Sequence, residues 1–414
     1  MKEGKSFEIS KYQVLEAYKR VKANHGAGGI DEMDFTEFEK DFKNNLYKLW
    51  NRMSSGSYFP LPVRGVEIPK RNGKKRLLGI PTITDRVAQM VVRMNFEPLV
   101  EPKFCSNSYG YRPGRSAIDA VGITRKRCWK MAWVIEFDIK GMFDNIDHEL
   151  MMKAIQAHTD CKWILLYIER LLKAPIMMAD GSSEERNSGI PQGGVISPVL
   201  ANLFMHYTFD LWMERQYTQN HGVRYADDGV IHCRTKETAE RLLEALKKRM
   251  VTCKLEIHPD KTRIVYCRSD RYPGRHEHES FDFLGYTFRR RLVKSENGKF
   301  FNSFTPAVSK SAGQNLKNKI RDIRQSNKIL SLEKLAGIMN PILRGWSNYF
   351  SKFCASEARK VLNYVNHTLI RCIRFKYKTI KRSKAKAYRY LIRIAKAQPN
   401  LFYHWKMGIR PTVG

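Results

Sequence analysis

The stretch Val223-Arg224-Tyr225-Ala226-Asp227-Asp228-Gly229-Val230-Ile231 decides how the chain is read. β-Formers flank Asp-Asp-Gly, the pattern of a hairpin whose tip carries two adjacent carboxylates. Asp and Gly also belong in tight turns for purely local reasons, so this stretch alone leaves turn chemistry and catalysis open. A second stretch shifts the balance. In Val134-Ile135-Glu136-Phe137-Asp138-Ile139, Asp138 closes an apolar β-type run ahead of a Lys-Gly turn. An acidic strand end beside a two-aspartate tip can hold two divalent cations about 4 Å apart, which clamp the attacking and leaving oxygens of an in-line phosphoryl transfer. Mg²⁺ suits so few carboxylates because it also takes water and substrate phosphate oxygens, and Mn²⁺ is the expected substitute.

The composition agrees with a polyanionic substrate. Lys and Arg number 74 against 41 Asp and Glu, a net charge of +33, and 11% of the 414 residues are aromatic. Such an excess repels itself unless nucleic acid neutralises it, and aromatic rings add surfaces on which bases stack. With 43% hydrophobic residues the chain is neither disordered nor collagen-like, and its length allows roughly two to three domains. No apolar run is long enough to span a bilayer, and MKEGKSFEISKYQ lacks the apolar stretch of a signal peptide. The eight cysteines are scattered without a CxxC, which argues against zinc ribbons and redox motifs and suits a reducing compartment. A cytoplasmic location is expected, nucleoid-associated through nucleic acid, with no membrane and no protein partner evident.

Working outward, helical spacing covers 9–23 and 35–54, followed by a hairpin over 63–81 with Asn72-Gly73 at its tip. Helices are expected at 83–98, 115–130, 148–173, 197–215 and 236–252. Short strands are expected within 254–267 and 281–290, and polar loops at 271–280 and 292–303. From about 308 to 396 the pattern is helical throughout, with ten basic residues in 371–395. The fold class is therefore α+β: a mixed body with an antiparallel sheet, followed by an all-α appendage from about 305.

Tyr225-Ala-Asp-Asp228 and the 137–146 stretch FDIKGMFDNI resemble the palm motifs of reverse transcriptases. Further matches follow in the same order. They are GIDEMD at 29–34, VEIPK…GKKRLLGIPTITDRVAQ at 66–89, SYGYRPGRSAIDAV at 108–121, SGIPQGGVISPVLANLF at 188–204, HPDKT at 258–262 and FDFLGYTF at 281–288. GIMNPILRGWSNYF at 337–350 is similar to the start of the thumb, or X, domain of group II intron maturases. The resemblance covers nearly the whole chain. It implies a right-hand polymerase: N-terminal extension and fingers over 1–130, palm over 131–304, and helical thumb over 305–414.

Roles carry over onto matching residues. The resemblance implies that Asp138, Asp227 and Asp228 bind two Mg²⁺ ions, with the Ile139 carbonyl adding a ligand. Phe143 stands where the family keeps a bulky side chain against the sugar, so a ring there selects dNTPs. Gln192 is expected to touch the dNTP, and Lys70, Arg76 and Arg64 to grip its triphosphate. Lys261 resembles the lysine that protonates leaving pyrophosphate. Arg112, Arg115 and Tyr225 are expected near template or primer, though a helix-capping salt bridge equally explains Arg115. Phe283, Leu284 and Gly285 are expected to form a primer grip through their backbone, with Tyr286 as core. Lys376, Lys378, Lys381 and Arg382 would hold RNA phosphates. Asp144 and Asp147 are expected to cap the helix starting near His148, and His276 and His278 to lie in a solvated loop.

The partners implied are group II intron RNA or another structured RNA template, a DNA primer or target, and dNTPs. No endonuclease or RNase H-like domain is expected, because no paired cysteines or strand-rich acidic cluster follow the thumb motif. A splicing cofactor with a decayed polymerase site would first lose its metal aspartates, and all three are present. The competing use is a freestanding group II-like reverse transcriptase in phage defence or another non-intron role. The loop at 24–31 and the maturase-like thumb favour an intron.

Overall fold

The computed structural model describes residues 6–69, 75–327 and 329–412. The chain divides into two compact units, Met1–Ala120 with Ile135–Arg263, and Val121–Val134 with Ile264–Gly414. Among the described residues no helix is long and apolar enough to cross a membrane.

In the first unit, helix Lys11–Ala23 opens on a capping box: Ser10 Oγ accepts from the Gln13 amide and Gln13 Oε1 from the Ser10 amide, both at 3.1 Å. Its buried face, Val14, Ala17, Tyr18 and Val21, packs against helix Ile83–Val100. The single helix expected over 35–54 is two, Phe35–Lys40 and Phe42–Ser54. Asp41 breaks it, adopting φ −121° and ψ 41° while its carboxylate accepts from Asn44 Nδ2 at 2.8 Å. The expected hairpin is present as β1 (Val63–Pro69) and β2 (Lys75–Ile80), antiparallel from Arg64↔Ile80 to Pro69↔Lys75. Its tip, with Lys70 and Asn72-Gly73, lies outside the described residues.

Next come β3 (Trp133–Asp138), β4 (Ile176–Met177), β5 (Ser183–Glu184), β6 (His221–Tyr225) and β7 (Asp228–Cys233). β4 joins the hairpin by running parallel to β1, whereas β7 lies between β6 and β3 in a separate sheet. The expected helix over 148–173 is interrupted by Ala157–Cys161. As anticipated, Asp147 Oδ1 caps its first half by accepting from the Leu150 amide at 2.9 Å. The expected helix over 197–215 forms, but with a widened π turn at His206–Asp210 in its middle. Such bulges re-aim side chains, here Asp210.

In the second unit, β8 (Arg263–Tyr266) precedes a meander of β9 (Ser280–Phe283), β10 (Tyr286–Lys294) and β11 (Phe300–Val308), ordered β11-β10-β9. The loop expected over 292–303 is corrected: only Ser295–Lys299 turns, closed by Ser295 N to Lys299 O at 2.8 Å. Leu292↔Asn302 and Lys294↔Phe300 continue the ladder to that turn. Polar residues on a strand that protrudes from the core hide the two-residue period that marks strands in sequence. At the base, Phe281 stacks on Phe288 at 4.6 Å and on Phe304 at 6.0 Å.

Beyond β11 the chain is helical: Lys310–Ser326, Leu332–Phe350, Ala355–Lys376, Lys384–Ala397 and Tyr403–Lys406. Ser309, Ser331 and Ser383 cap the first, second and fourth. Their apolar stripes meet in one core that includes Ile320, Leu343, Leu369, Leu391, Phe402 and Trp405. The expected unbroken helical pattern is punctuated at 377–383, where the basic tract leaves the helix.

Candidate active site

The register Tyr225↔Asp228 makes Ala226-Asp227 the two-residue turn between β6 and β7. The expected Asp-Asp-Gly tip is therefore shifted by one step: Asp228 is already the first residue of β7, and Gly229 lies inside it. Ala226 takes φ +58°, a left-handed conformation that costs a residue with a Cβ. Two glycines permit the arrangement. A Cβ on Gly110 would come within 2.5 Å of the Ala226 nitrogen, and one on Gly229 would enter the Phe137 ring.

Asp138 ends β3 as expected. Its carbonyl accepts from the His258 amide at 2.8 Å, and the Lys140 amide donates to Glu256 O at 2.9 Å. These bonds run residues 256–261 alongside the strand end, so Lys261 Nζ reaches Asp138 Oδ2 at 2.7 Å. Burial, then the charges of Asp227 and Asp138, push the Asp228 carboxyl up to about 7. Burial and Asp138 likewise raise Asp227, against the pull of Arg76 and Lys261. Burial would lower Lys261, but its hydrogen bond to Asp138 and the three carboxylate charges outweigh that and hold it above the usual lysine range. No cluster of three or more His, Cys, Asp or Glu side chains that could hold a metal occurs among the described residues. The three aspartates are thus coupled electrostatically while Lys261 occupies one of them. These half-buried carboxylates offer hard oxygen donors of the kind a divalent cation takes when water and substrate complete its ligands.

The residues expected to contact the nucleotide are placed as follows. Phe143 is buried in the short helix Met142–Asn145, and its carbonyl accepts from the Ile190 amide at 2.7 Å. Gln192 joins three segments: its carbonyl accepts from the Gly79 amide at 3.0 Å, its Nε2 donates to Asp144 Oδ1 at 3.0 Å, and its Oε1 accepts from Arg76 Nε. Asp144 is therefore a partner of Gln192 rather than a helix cap, a correction to its expected place. Arg64 sits on β1 with its Nε buried and without a hydrogen-bond partner. Ile139 is buried and bridges to Ile257.

Arg112, expected near template or primer, is buried inside the fold. Its guanidinium donates to Glu101 Oε1 at 2.9 Å, to Cys105 O at 2.7 Å and to Ser108 O at 2.9 Å, which closes the 101–112 loop. Arg115 is exposed, 5.8 Å from the Tyr109 ring. Tyr225 lies 6.3 Å from Tyr111, whose hydroxyl is raised by burial and by the Asp227 charge. That phenol was not singled out from the sequence.

In the second unit, Phe283 is buried, and Leu284 (φ +51°) and Gly285 (φ +80°) make the tight β9–β10 turn. The Leu284 carbonyl accepts from Tyr349 Oη at 2.8 Å, and Tyr286 is core. His276 packs edge-on against Trp133 and Tyr266. Lys376, Lys378, Lys381 and Arg382 are all exposed at the end of helix Ala355–Lys376 and in the loop after it.

The main feature missed from sequence is Arg224. Its side chain is 1% exposed and pairs bidentately with Asp210, 4% exposed, at 2.9 and 2.6 Å. The remaining donors reach Ser108 Oγ at 2.7 Å, Asn202 Oδ1 at 3.2 Å and the Ala226 carbonyl at 3.1 Å. The guanidinium thereby holds the turn that carries Asp227. The available signal was an arginine in an otherwise apolar strand; its partner sits in an apolar helix, which only packing reveals.

Residues 68–288 match the family model described as reverse transcriptase (RNA-dependent DNA polymerase), and residues 314–391 match the group II intron maturase-specific domain. The chain is 29% identical over 357 residues to Protein YkfC of Escherichia coli, covering 77% of this chain and 91% of that protein. It is 37% identical over 191 residues to the group II intron-encoded protein LtrA of Lactococcus lactis, covering 46% of this chain and 32% of LtrA. A putative COX1/OXI3 intron 1 protein of Saccharomyces cerevisiae is 31% identical over 204 residues, 49% of this chain and 24% of that protein. The chain thus spans most of YkfC but a third or less of the other two.

Proposed function

The chain belongs to the reverse transcriptase family, the RNA-dependent DNA polymerases, and from that premise we propose that it copies group II intron RNA into DNA and assists the splicing of that RNA. Its fold is the α+β right hand of that family, antiparallel sheets followed by a helical C-terminal region. Fingers are assigned to 1–130, palm to 131–304 and thumb to 305–414. The observation that carries the reading is the turn that delivers Asp227 and Asp228 beside Asp138 in a setting that raises both carboxyls.

Reverse transcriptase domains use divalent cations. Asp138, Asp227, Asp228 and the Ile139 carbonyl would hold two Mg²⁺ ions, which supply charge neutralisation for attack of a primer 3′-hydroxyl on the α-phosphate. The chain's own side chains do the rest. Arg76 and Arg64 bind the triphosphate, and Gln192, anchored on Asp144, orients the nucleotide. Phe143 lies beneath the sugar and leaves no room for a 2′-hydroxyl. Lys261 is protonated at neutral pH and holds the proton that leaving pyrophosphate takes up. Phe283, Leu284 and Gly285 support the primer, with Tyr225 and Arg115 near the template–primer. The exposed cations Lys376, Lys378, Lys381 and Arg382 hold intron RNA through its phosphates, so binding weakens steeply as salt rises.

Primer extension on poly(rA)/oligo(dT) with dTTP and Mg²⁺ tests the chemistry. Asp227→Asn is expected to abolish extension while leaving RNA binding intact, and extension surviving in that variant would overturn the metal assignment. Sequencing of the RNA that co-purifies from native cells tests the maturase role. One structured intron RNA, spliced better with the protein present, is the expected result.

A further inference from the structure

The β10–β11 hairpin has no role in the proposed chemistry, and its distal half is an unusual surface. Aromatic stacking buries its base at Phe288 and Phe304, and Ser303 and Thr305 are buried as well, but from Leu292 and Asn302 outward no residue of either strand is buried. Leu292 is 65% exposed, Phe300 66% and Phe301 43%. Three residue pairs, Leu292↔Asn302 to Lys294↔Phe300, carry the ladder beyond the buried Ser303 and Phe304, about 10 Å at the usual rise of a strand. A two-stranded ribbon without a covering layer is marginal in water, so apolar residues at its end call for a partner.

Charge selects that partner. From Arg289 to Phe300 the chain has five cations and one carboxylate, Glu296. Arg291 is committed internally, donating to Thr305 O and Thr287 O, and Arg290 faces Asp270 at 3.4 Å. Arg289, Lys294 and Lys299 are exposed. Lys294 Nζ lies 5.8 Å from the Phe300 ring centroid, so a cation stands beside an open aromatic face. Strand alternation then puts Phe300 and Phe301 on opposite faces of the ribbon tip, each offering a ring. Rings for bases interleaved with cations for phosphates are the elements of a single-strand nucleic-acid platform, and the net charge of +33 over the whole chain favours the same polyanion.

We propose that the tip of the β10–β11 hairpin is a second RNA-binding element that takes an unpaired loop of a structured RNA, stacking its bases on Phe300 and Phe301 and pairing its phosphates with Lys294 and Lys299. The choice of RNA rests on the maturase reading above. The platform is a different segment of the chain from the exposed cations at 376–382. It lets the protein prefer RNAs that present an unpaired loop.

The test uses the full chain and a fluorescent stem–loop RNA with a long unpaired loop, competed against a blunt RNA duplex and against a DNA stem–loop of the same sequence. Phe300→Ala/Phe301→Ala is expected to weaken stem–loop binding about tenfold, with duplex binding unchanged. Lys294→Ala/Lys299→Ala, at exposed positions, is expected to reduce the salt slope of stem–loop binding by about 1.4. Poly(rA)/oligo(dT) extension should be normal in both variants. Unchanged stem–loop affinity and slope, with normal extension, would overturn the hairpin assignment and leave the polymerase reading standing. Wild-type protein that binds the stem–loop but does not extend would instead overturn the polymerase reading alone. An equal loss for the DNA stem–loop, or a loss of self-association with RNA affinity intact, would overturn the choice of RNA as occupant.

Discussion

Removing Asp210 while keeping Arg224 isolates the tertiary device that holds the turn carrying Asp227. Asp210→Ala leaves a guanidinium, 1% exposed, with only Ser108, Asn202 and the Ala226 carbonyl as partners. Deleting one member of a buried ion pair costs about 3–5 kcal/mol because the other charge stays desolvated. Against a total stability of about 5–15 kcal/mol, that is a large loss. Arg224→Met/Asp210→Leu removes both charges, and its packing is expected to restore most of the stability lost in the single variant. It still lacks the donor that holds the Ala226 carbonyl, where φ is +58°. Its primer-extension kcat should therefore stay roughly tenfold or more below wild type, with KM for template–primer little changed. Arg224→Lys keeps the charge but not the bidentate fork, and should fall between. Denaturant midpoints and steady-state extension read the two effects separately. An Asp210→Ala protein with wild-type stability, or a double variant with full kcat, would refute the positioning argument.

Three other perturbations test separate parts of the molecule. Phe143→Ala should relax sugar selection, raising ribonucleotide incorporation relative to deoxynucleotide by at least about tenfold in single-nucleotide extension; unchanged discrimination would remove Phe143 from the sugar site. Asp228 binds its proton more tightly folded, at about 7, than at its usual 3.8, so its contribution to stability is fullest at low pH and declines as pH rises through 7. Asp228→Asn should thus melt higher than wild type in metal-free buffer at about pH 8, with the gap closing toward pH 4, and a constant gap would contradict the raised carboxyl. Asn366 Oδ1 accepts from His404 Nε2 at 2.8 Å and Trp405 Nε1 at 2.7 Å while its Nδ2 donates to Ile409 O. Asn366→Ala orphans these buried groups and should lower the denaturation midpoint of the helical unit by the equivalent of about 3 kcal/mol, leaving the first unit's midpoint in place.

The aspartates and the hairpin strands were legible because short-range rules produce them. Alternation of β-formers marks β1, β2, β6 and β7, and a carboxylate at a strand end can be read from its neighbours alone. The capping role of Asp147 is equally local. Asp41 and the 157–161 segment broke expected helices, since local side-chain bonding and tertiary packing override a periodic pattern. The extent of β10 and β11 was hidden because both faces of their outer half meet water, so no apolar period records the pairing.

What the sequence determined by itself is the chemistry on offer: three aspartates at strand ends and the turn between strands, a strongly basic chain, and an α+β body followed by helices. Only the tertiary structure decided which charged residues are tools and which are struts. Arg112 and Arg224 carry the same guanidinium as Arg76, yet the first two are buried on carboxylates and carbonyls of the fold, while Arg76 stays exposed against Gln192. The difference lies in desolvation. A buried charge must be paired with whatever packing brings to it, and the side-chain partners of these two arginines lie from 11 to 116 residues away, a separation that no local pattern records.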